Sequence, residues 1–155
     1  MAINVARDST DLQAGPRSVL WRAFLGGLAV ELQAQTGPDG SAAILRGVGQ
    51  HMAKLLTLMP VDSMEALEVE MNLVLGEVGW GHVQMRLQEA ERCVVMVHTG
   101  LPSASSAGDP PGTWLAPVLE GLYEGWMGQQ PGADGTLRAR VDSHEHNNIF
   151  IRYGR

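Results

Sequence analysis

The chain has 155 residues, of which 45% are hydrophobic and 18% are charged, and its formal net charge is -6. This length and composition predict one folded domain with a hydrophobic core, and they exclude a disordered or fibrous chain. The single lysine, Lys54, and the scattered arginines indicate no clustered basic face, which disfavours nucleic acid and anionic membranes as partners. A neutral partner, such as a polysaccharide or another protein, is compatible with this charge.

The chain contains one cysteine, Cys93, so it cannot form a disulfide within itself. The start of the chain, Met1 to Asp8, lacks a basic stretch followed by an apolar run, and no apolar run is long enough to span a bilayer. These features predict a cytoplasmic protein.

Residues 1–16 are polar and end in a Gly-Pro pair, which predicts a flexible N-terminal arm before a single domain of residues 17–155. Residues 18–35 have the apolar periodicity of a helix, with Ser18 as its N-cap. Its apolar stripe contains Leu20, Phe24, Leu28 and Leu32. Residues 36–40 contain glycine and proline and predict a turn.

A second helix is predicted over 41–58, where apolar residues again share one face. Asp62 and Glu65 have the spacing of a capping box, which predicts the start of a third helix that ends near Val78.

The apolar period then changes to that of a strand, with Val83, Met85 and Leu87 pointing inward. Residues 93–98 are apolar on both faces and predict a central strand, and residues 89–92 form the intervening turn. A fourth helix is predicted over 114–128, and two further strands follow.

Thr113 is the expected N-cap of the fourth helix, and Pro117 lies in its first turn, where proline is tolerated. The predicted order is α-α-α-β-β-α-β-β. This order predicts an α+β fold with helices packed on an antiparallel sheet of about four strands.

No catalytic motif stands out, and the sequence predicts no cofactor and no metal site. His144 and His146 could share one metal on a strand, with His98 or Cys93 as a third ligand. A polar hairpin turn is the preferred interpretation, because one histidine pair provides too few ligands. Cys93 lies in an apolar strand and is expected to be a buried, inert thiol. The acidic residues Glu65, Glu68 and Glu70 fall on a solvated helix face rather than across a cleft.

One stretch is unusual. The run SAGDPPGTWLAPVLEGLY, from Ser106 to Tyr123, resembles the signature region of the bacterial cellulose synthase operon protein D family. The segments Arg46–Gly49, Met71–Leu73 and Gly79–Gly81 are also similar to that family. The resemblance covers roughly residues 20–133.

The resemblance implies a non-catalytic accessory subunit that forms an octameric ring of dimers around passages for glucan chains. It also implies partners, namely the membrane cellulose synthase complex and a cellulose-complementing protein, and a periplasmic location is the alternative to the cytoplasm. The motif residues expected to serve assembly are Trp80, Thr113, Trp114, Pro117, Gly121 and Tyr123. Trp21 and Trp126 are likewise expected in the core or in a subunit interface.

The family's arms are thought to line the glucan passages. By their polarity and position, Asn4, Arg7, Asp8 and Arg17 are the candidates for hydrogen bonds to glucan hydroxyls.

The order of elements, with Gly79-Trp80-Gly81 before a hairpin, also resembles four-vinyl-reductase and TRAPP-like domains. The alternative function is therefore a small-molecule-binding regulatory domain with a pocket between helices and sheet.

Overall fold

The computed structural model describes residues 16–101 and 113–155. The predicted glucan-binding residues Asn4, Arg7 and Asp8 lie outside the described residues. Arg17 lies in the first turn of a helix, and its side chain is outside the described part of the chain.

The predicted α+β fold is confirmed. The elements are α1 (Pro16–Leu55), α2 (Met64–Val78), β1 (His82–Gln88), β2 (Cys93–Thr99), α3 (Ala116–Gly128), β3 (Arg138–Glu145) and β4 (Asn148–Gly154). Short 3-10 turns cover Glu89–Glu91 and Thr113–Leu115. The four strands form one antiparallel sheet in the order β1-β2-β4-β3, so β2 is central, as its apolar sequence predicts.

Helix α1 is two helices joined at a kink. Gly37 alone has non-helical angles (φ 70°, ψ 177°), and Pro38 follows it. Proline cannot donate a helical hydrogen bond, so the pair interrupts the helix. The two predicted helices are therefore the two halves of α1, and the predicted turn over 36–40 shrinks to one residue. The helix begins at Pro16, so Ser18 lies inside it and is not its N-cap.

The cap predictions for α2 and α3 were also wrong. Ser63, not Asp62, caps α2, because its hydroxyl accepts a hydrogen bond from the Ala66 N–H at 3.1 Å. Leu115 is the N-cap residue of α3, and it makes no side-chain capping bond. The 3-10 turn carries the chain from Thr113 into the helix, so Thr113 lies too early to cap it.

The core lies between the helices and the inner face of the sheet, and α3 is its central element. Its fully buried residues include Leu119, Leu122, Tyr123 and Trp126 from α3, Met71 and Leu75 from α2, and Val83, Met96 and Ile151 from the sheet. Leu87 was predicted to point into this core, but it lies at the hairpin end of β1 and is 56% exposed.

Most of the predicted apolar stripe in the first half of α1 does not join the core, although its last residue, Leu32, is half-buried against the cluster of Leu45, Leu115 and Val118. Leu20, Phe24 and Leu28 of that stripe are exposed, and so is Trp21 beside them, which is 60% exposed. We call Leu20, Trp21, Phe24 and Leu28 the α1 stripe.

No helix among the described residues is long and apolar enough to cross a membrane.

Candidate functional site

The family-like segments meet where the second half of α1 crosses α3. A Cβ atom added to Gly49 would lie 1.9 Å from the Val118 carbonyl oxygen, and one added to Gly121 would lie 1.9 Å from the Arg46 carbonyl oxygen. The two helix backbones are therefore in direct contact, and only glycine fits at either position. The crossing explains why both segments contain glycine within a helix, where it lowers helix propensity.

Small residues continue this contact for one more turn. A Cβ on Gly125 would lie 2.5 Å from the Cβ of Ala53, whereas one on Gly47 would meet nothing within 4 Å. Gly49 and Gly47 stand two residues apart in one segment, yet only Gly49 is required by the crossing.

Arg46 occupies the centre of an ion-pair cluster beside this crossing. Its Nη1 donates to Glu120 Oε2 and to the Ala139 carbonyl oxygen, each at 2.9 Å, and its Nη2 pairs with Glu124. The same carboxylates accept hydrogen bonds from strand β3: the Ala139 N–H donates to Glu124 at 2.9 Å, and the Val141 N–H donates to Glu120 at 2.7 Å. These side chains thus replace a neighbouring strand at the outer edge of β3.

The opposite edge of the sheet is satisfied in the same way by α2. The Val83 N–H donates to Asn72 Oδ1, and the Asn72 amide donates to the Val83 carbonyl, both at 2.8 Å. The Met85 N–H donates to Glu68 Oε2 at 2.6 Å. Both edge strands of the sheet therefore have backbone groups capped by helix side chains, which protects them from pairing with another strand.

His98 and Tyr123 form a fully buried polar pair behind the crossing. His98 Nδ1 and the Tyr123 hydroxyl share a hydrogen bond of 2.5 Å, and Trp126 packs edge-on against the Tyr123 ring. Burial lowers the pKa of His98 to about 4. The Trp80 backbone acts to raise this pKa, and the nearby His82 lowers it further. Burial also raises the pKa of Tyr123. Both groups are thus neutral near pH 7.

This pair has no exposed face that could serve a reaction. His98 Nε2 has no hydrogen-bond partner of good geometry among the described residues, which is a local cost to stability. His98 is therefore held as a structural residue rather than as the third ligand considered for His144 and His146. No three His, Cys, Asp or Glu side chains in residues 16–101 and 113–155 form a group that could hold a metal ion.

Cys93 is buried, as predicted, and its thiol lies 3.7 Å from Gln88 Oε1. The inertness of this thiol stays a prediction. Glu68 was predicted to point into solvent, but it is partly buried because it caps Met85.

The motif residues predicted to serve assembly are spread along this core contact. Gly121 and Tyr123 are buried, whereas Trp80, Trp114 and Pro117 are half-buried. Thr113 lies in the 3-10 turn, and its side chain is outside the described part of the chain. Trp80 and Trp114 both pack against the small cluster of Leu45, Leu115 and Val118. Within one chain, the motif holds α1, α3 and the β1 side of the sheet together.

The sequence patterns do not predict that Arg46, Glu120 and Glu124 form a cluster. The available signal was the position of these charged residues on the core-facing side of their helices. Arg46 has this position in the second half of α1, and Glu120 and Glu124 have it, four residues apart, in α3. The partners could not be paired from the sequence alone, because the arginine and the acids are separated by 74 and 78 positions.

The fold and the crossing define a small α+β protein in which polar side chains of the helices bind both edges of the sheet. Comparison with known proteins makes this assignment specific. The family model for the D subunit of cellulose synthase matches residues 10–154. The chain belongs to this family, so the resemblance noted over residues 20–133 is confirmed and extends further in both directions.

Individual relatives agree with the family match. The chain is 41% identical over 128 residues to a cellulose synthase operon protein D of Komagataeibacter xylinus, covering 81% of this chain and 82% of that protein. It is 38% identical over 142 residues to a protein of the same name from Komagataeibacter sucrofermentans, covering 90% of this chain and 89% of the relative.

Proposed function

We propose that this chain is a non-catalytic accessory subunit of bacterial cellulose synthesis, which assembles into a ring that guides glucan chains. The family match over residues 10–154 is the observation that carries the proposal. The relatives are named for the cellulose synthase operon, which supports a role in cellulose synthesis and association with the synthase complex.

The α1 stripe supports self-assembly. Its side chains form one apolar face on a helix that extends away from the core, and Trp21 stacks on Phe24 with ring centroids 5.4 Å apart. A contiguous exposed face with two aromatic residues is typical of a protein interface. We propose that this face meets another copy of the chain, and that dimers made in this way build the octameric ring.

The same helix supports the proposed route for glucan. Arg17 lies in the first turn of α1, so the predicted arm joins the helix that carries the α1 stripe. Assembly through the stripe would bring the arms of neighbouring subunits together. Asn4, Arg7, Asp8 and Arg17 would then offer hydrogen-bonding groups to a neutral, hydroxyl-rich chain.

The proposed partners outside the ring are the membrane synthase and a cellulose-complementing protein, and the proposed location is the cytoplasmic side. A single buried thiol without a disulfide suits a reducing compartment. A reporter that fluoresces only when folded in the cytoplasm, fused to the C-terminus, tests this placement.

Native mass by light scattering after size exclusion tests the assembly. The wild type is expected near eight subunits, and Trp21→Ser with Phe24→Ser is expected to lower the mass. The matched control is Val69→Ser with Leu73→Ser, which changes two exposed apolar residues of α2 and should leave the mass unchanged. A monomeric wild type, or an equal effect of both pairs, would contradict the assembly proposal.

The glucan role needs a separate measurement. A variant lacking residues 2–16 should keep its ring mass but lose binding to cellohexaose, and cells that carry it should make less ordered cellulose. Unchanged cellulose yield and order in those cells would argue against the glucan role while leaving the assembly intact.

We advance no regulatory, ligand-binding function of the four-vinyl-reductase or TRAPP-like type. That alternative places an apolar pocket between helices and sheet. In the described residues, the buried side chains of Met71, Tyr123 and Trp126 fill the centre of this region. A cavity of about 250 Å³ remains at its margin, where it opens to solvent beside Leu67, Met85 and Met127.

A further inference from the structure

Four of the ten arginines, far apart in the sequence, come together on the outer face of the sheet, the face that the helices leave uncovered. In the strand register, Arg86 lies opposite Val95, Val95 lies opposite Arg152, and Arg152 lies opposite Arg140. Arg138 stands two residues before Arg140 and therefore points to the same side. We call Arg86, Arg138, Arg140 and Arg152 the arginine face.

This face is rich in positive charge, whereas the chain as a whole is negatively charged. The four strands carry four arginines and two acidic residues, whereas α2 carries four glutamates and no basic residue. The whole chain has 11 basic and 17 acidic residues. The fold therefore separates charge that the sequence does not separate, and the expectation of no clustered basic face was wrong.

Two of the four arginines, Arg86 and Arg140, are open to a carboxylate-bearing ligand, whereas Arg138 donates to the carbonyl groups of Gly135 and Leu137. Arg86 has no ion pair among the described residues, and the guanidinium of Arg140 donates only to the carbonyl of its neighbour Ala139, at 3.3 Å. Arg152 already pairs with Glu91 and lies 3.9 Å from Asp142, so the face binds carboxylates within the chain itself. Guanidinium groups bind carboxylates with two parallel hydrogen bonds, which favours this ligand class.

Apolar side chains lie between the arginines. Val95 and Phe150 are half-buried on the same face, and Val97 lies opposite Phe150 in the neighbouring row. Arginine beside aliphatic and aromatic residues is the composition of a protein interface rather than of a purely solvated surface.

We propose that the arginine face binds an acidic segment of a partner protein. The partner lies across the face and does not add a strand, because helix side chains already cap both sheet edges. A short acidic segment responds to the local positive field, which extends about 8 Å at physiological salt. An anionic membrane extends well beyond this face, so the net charge of -6 on the whole chain would repel it. This inference goes beyond the proposed ring and glucan roles and depends on neither.

Fluorescence anisotropy with a labelled decaglutamate peptide tests the proposal. The variant Arg86→Gln with Arg140→Gln removes two charges from the face. The matched control, Lys54→Gln with Arg155→Gln, removes two charges elsewhere. We expect the first pair to raise the Kd by about tenfold or more and the control to change it by less than about twofold. Binding should also weaken as salt is raised.

Three results would overturn the proposal. The first is no binding of decaglutamate by the wild type, and the second is an equal loss in both variant pairs, which indicates a response to net charge alone. The third is binding of the wild type to phosphatidylserine vesicles in preference to decaglutamate, which would make the face a membrane contact. Thermal unfolding of each variant confirms that it is folded, and native mass shows that the ring is a separate property.

Discussion

Replacing Gly49 with alanine tests the helix crossing directly. The added Cβ would lie 1.9 Å from the Val118 carbonyl oxygen and 2.7 Å from the Leu122 backbone nitrogen. Backbone atoms cannot rotate away as side chains can, so α1 and α3 must separate by about 1 Å or more to reach ordinary contact distance.

Overpacking of this kind typically costs about 1–3 kcal/mol, and helix separation also weakens the bonds of Arg46 to α3. Alanine regains about 1 kcal/mol of helix propensity. The expected net loss is about 1–2 kcal/mol, which corresponds to a Tm lower by about 2–8 °C for a chain of this size.

The control lies two residues away in the same helix. A Cβ at Gly47 meets nothing within 4 Å, so Gly47→Ala should keep or slightly raise the stability, by up to about 1 kcal/mol. Urea unfolding followed by tryptophan fluorescence, at one fixed protein concentration, measures both. If Gly49→Ala proved as stable as Gly47→Ala, the direct backbone contact would be refuted.

Three further predictions concern the polar clusters. His98 has a pKa of about 4 in the folded chain and near 6.5 in the unfolded chain, so between these pH values only the unfolded chain binds the proton. The free energy of unfolding therefore falls by about 3 kcal/mol as the pH drops from 7 to 4. In His98→Gln this component of the urea-unfolding pH profile should be absent. Arg46→Met leaves Glu120 and Glu124 without their cation in a partly buried site, and we expect a loss of about 2 kcal/mol, measured by urea unfolding. Asn72→Leu removes two hydrogen bonds from the edge of β1, and we expect a loss of about 1–2 kcal/mol together with faster aggregation by light scattering.

Each of these has an internal check. An unaltered pH profile in His98→Gln would assign the acid sensitivity to other groups. For the ion-pair cluster, Arg46→Met combined with Glu124→Gln should cost less than the sum of the two single changes, and strict additivity would speak against coupling. Gln84→Leu is the control for Asn72, since Gln84 is exposed on β1, and it should not promote aggregation.

Local hydrophobic periodicity predicts where the helices and strands lie, but it does not predict the residues at which the helices begin. Periodicity located the helices and strands, and the doubly apolar segment 93–98 correctly predicted a central strand. The capping predictions failed at Ser18, Asp62 and Thr113, because several residues near each helix start can serve as a cap and only the path of the chain selects one.

The candidate sites were less predictable than the elements, since they depend on pairing between distant segments. An apolar stripe predicts that a helix face will be covered, but it does not show whether the same chain covers it; the exposed Trp21 illustrates this. Likewise, Arg86 and Arg140 are 54 positions apart, and only the strand register brings them into one row.

The capped sheet edges bear on how the chain is synthesised. Each capping helix directly precedes, in the chain, the edge strand that it protects: α2 ends four residues before β1 begins, and α3 ends ten residues before β3 begins. During translation the N-terminal elements emerge first, so each bare edge strand leaves the ribosome after its protecting helix. The order of elements thus limits the time in which either edge strand of a nascent chain lacks its capping helix.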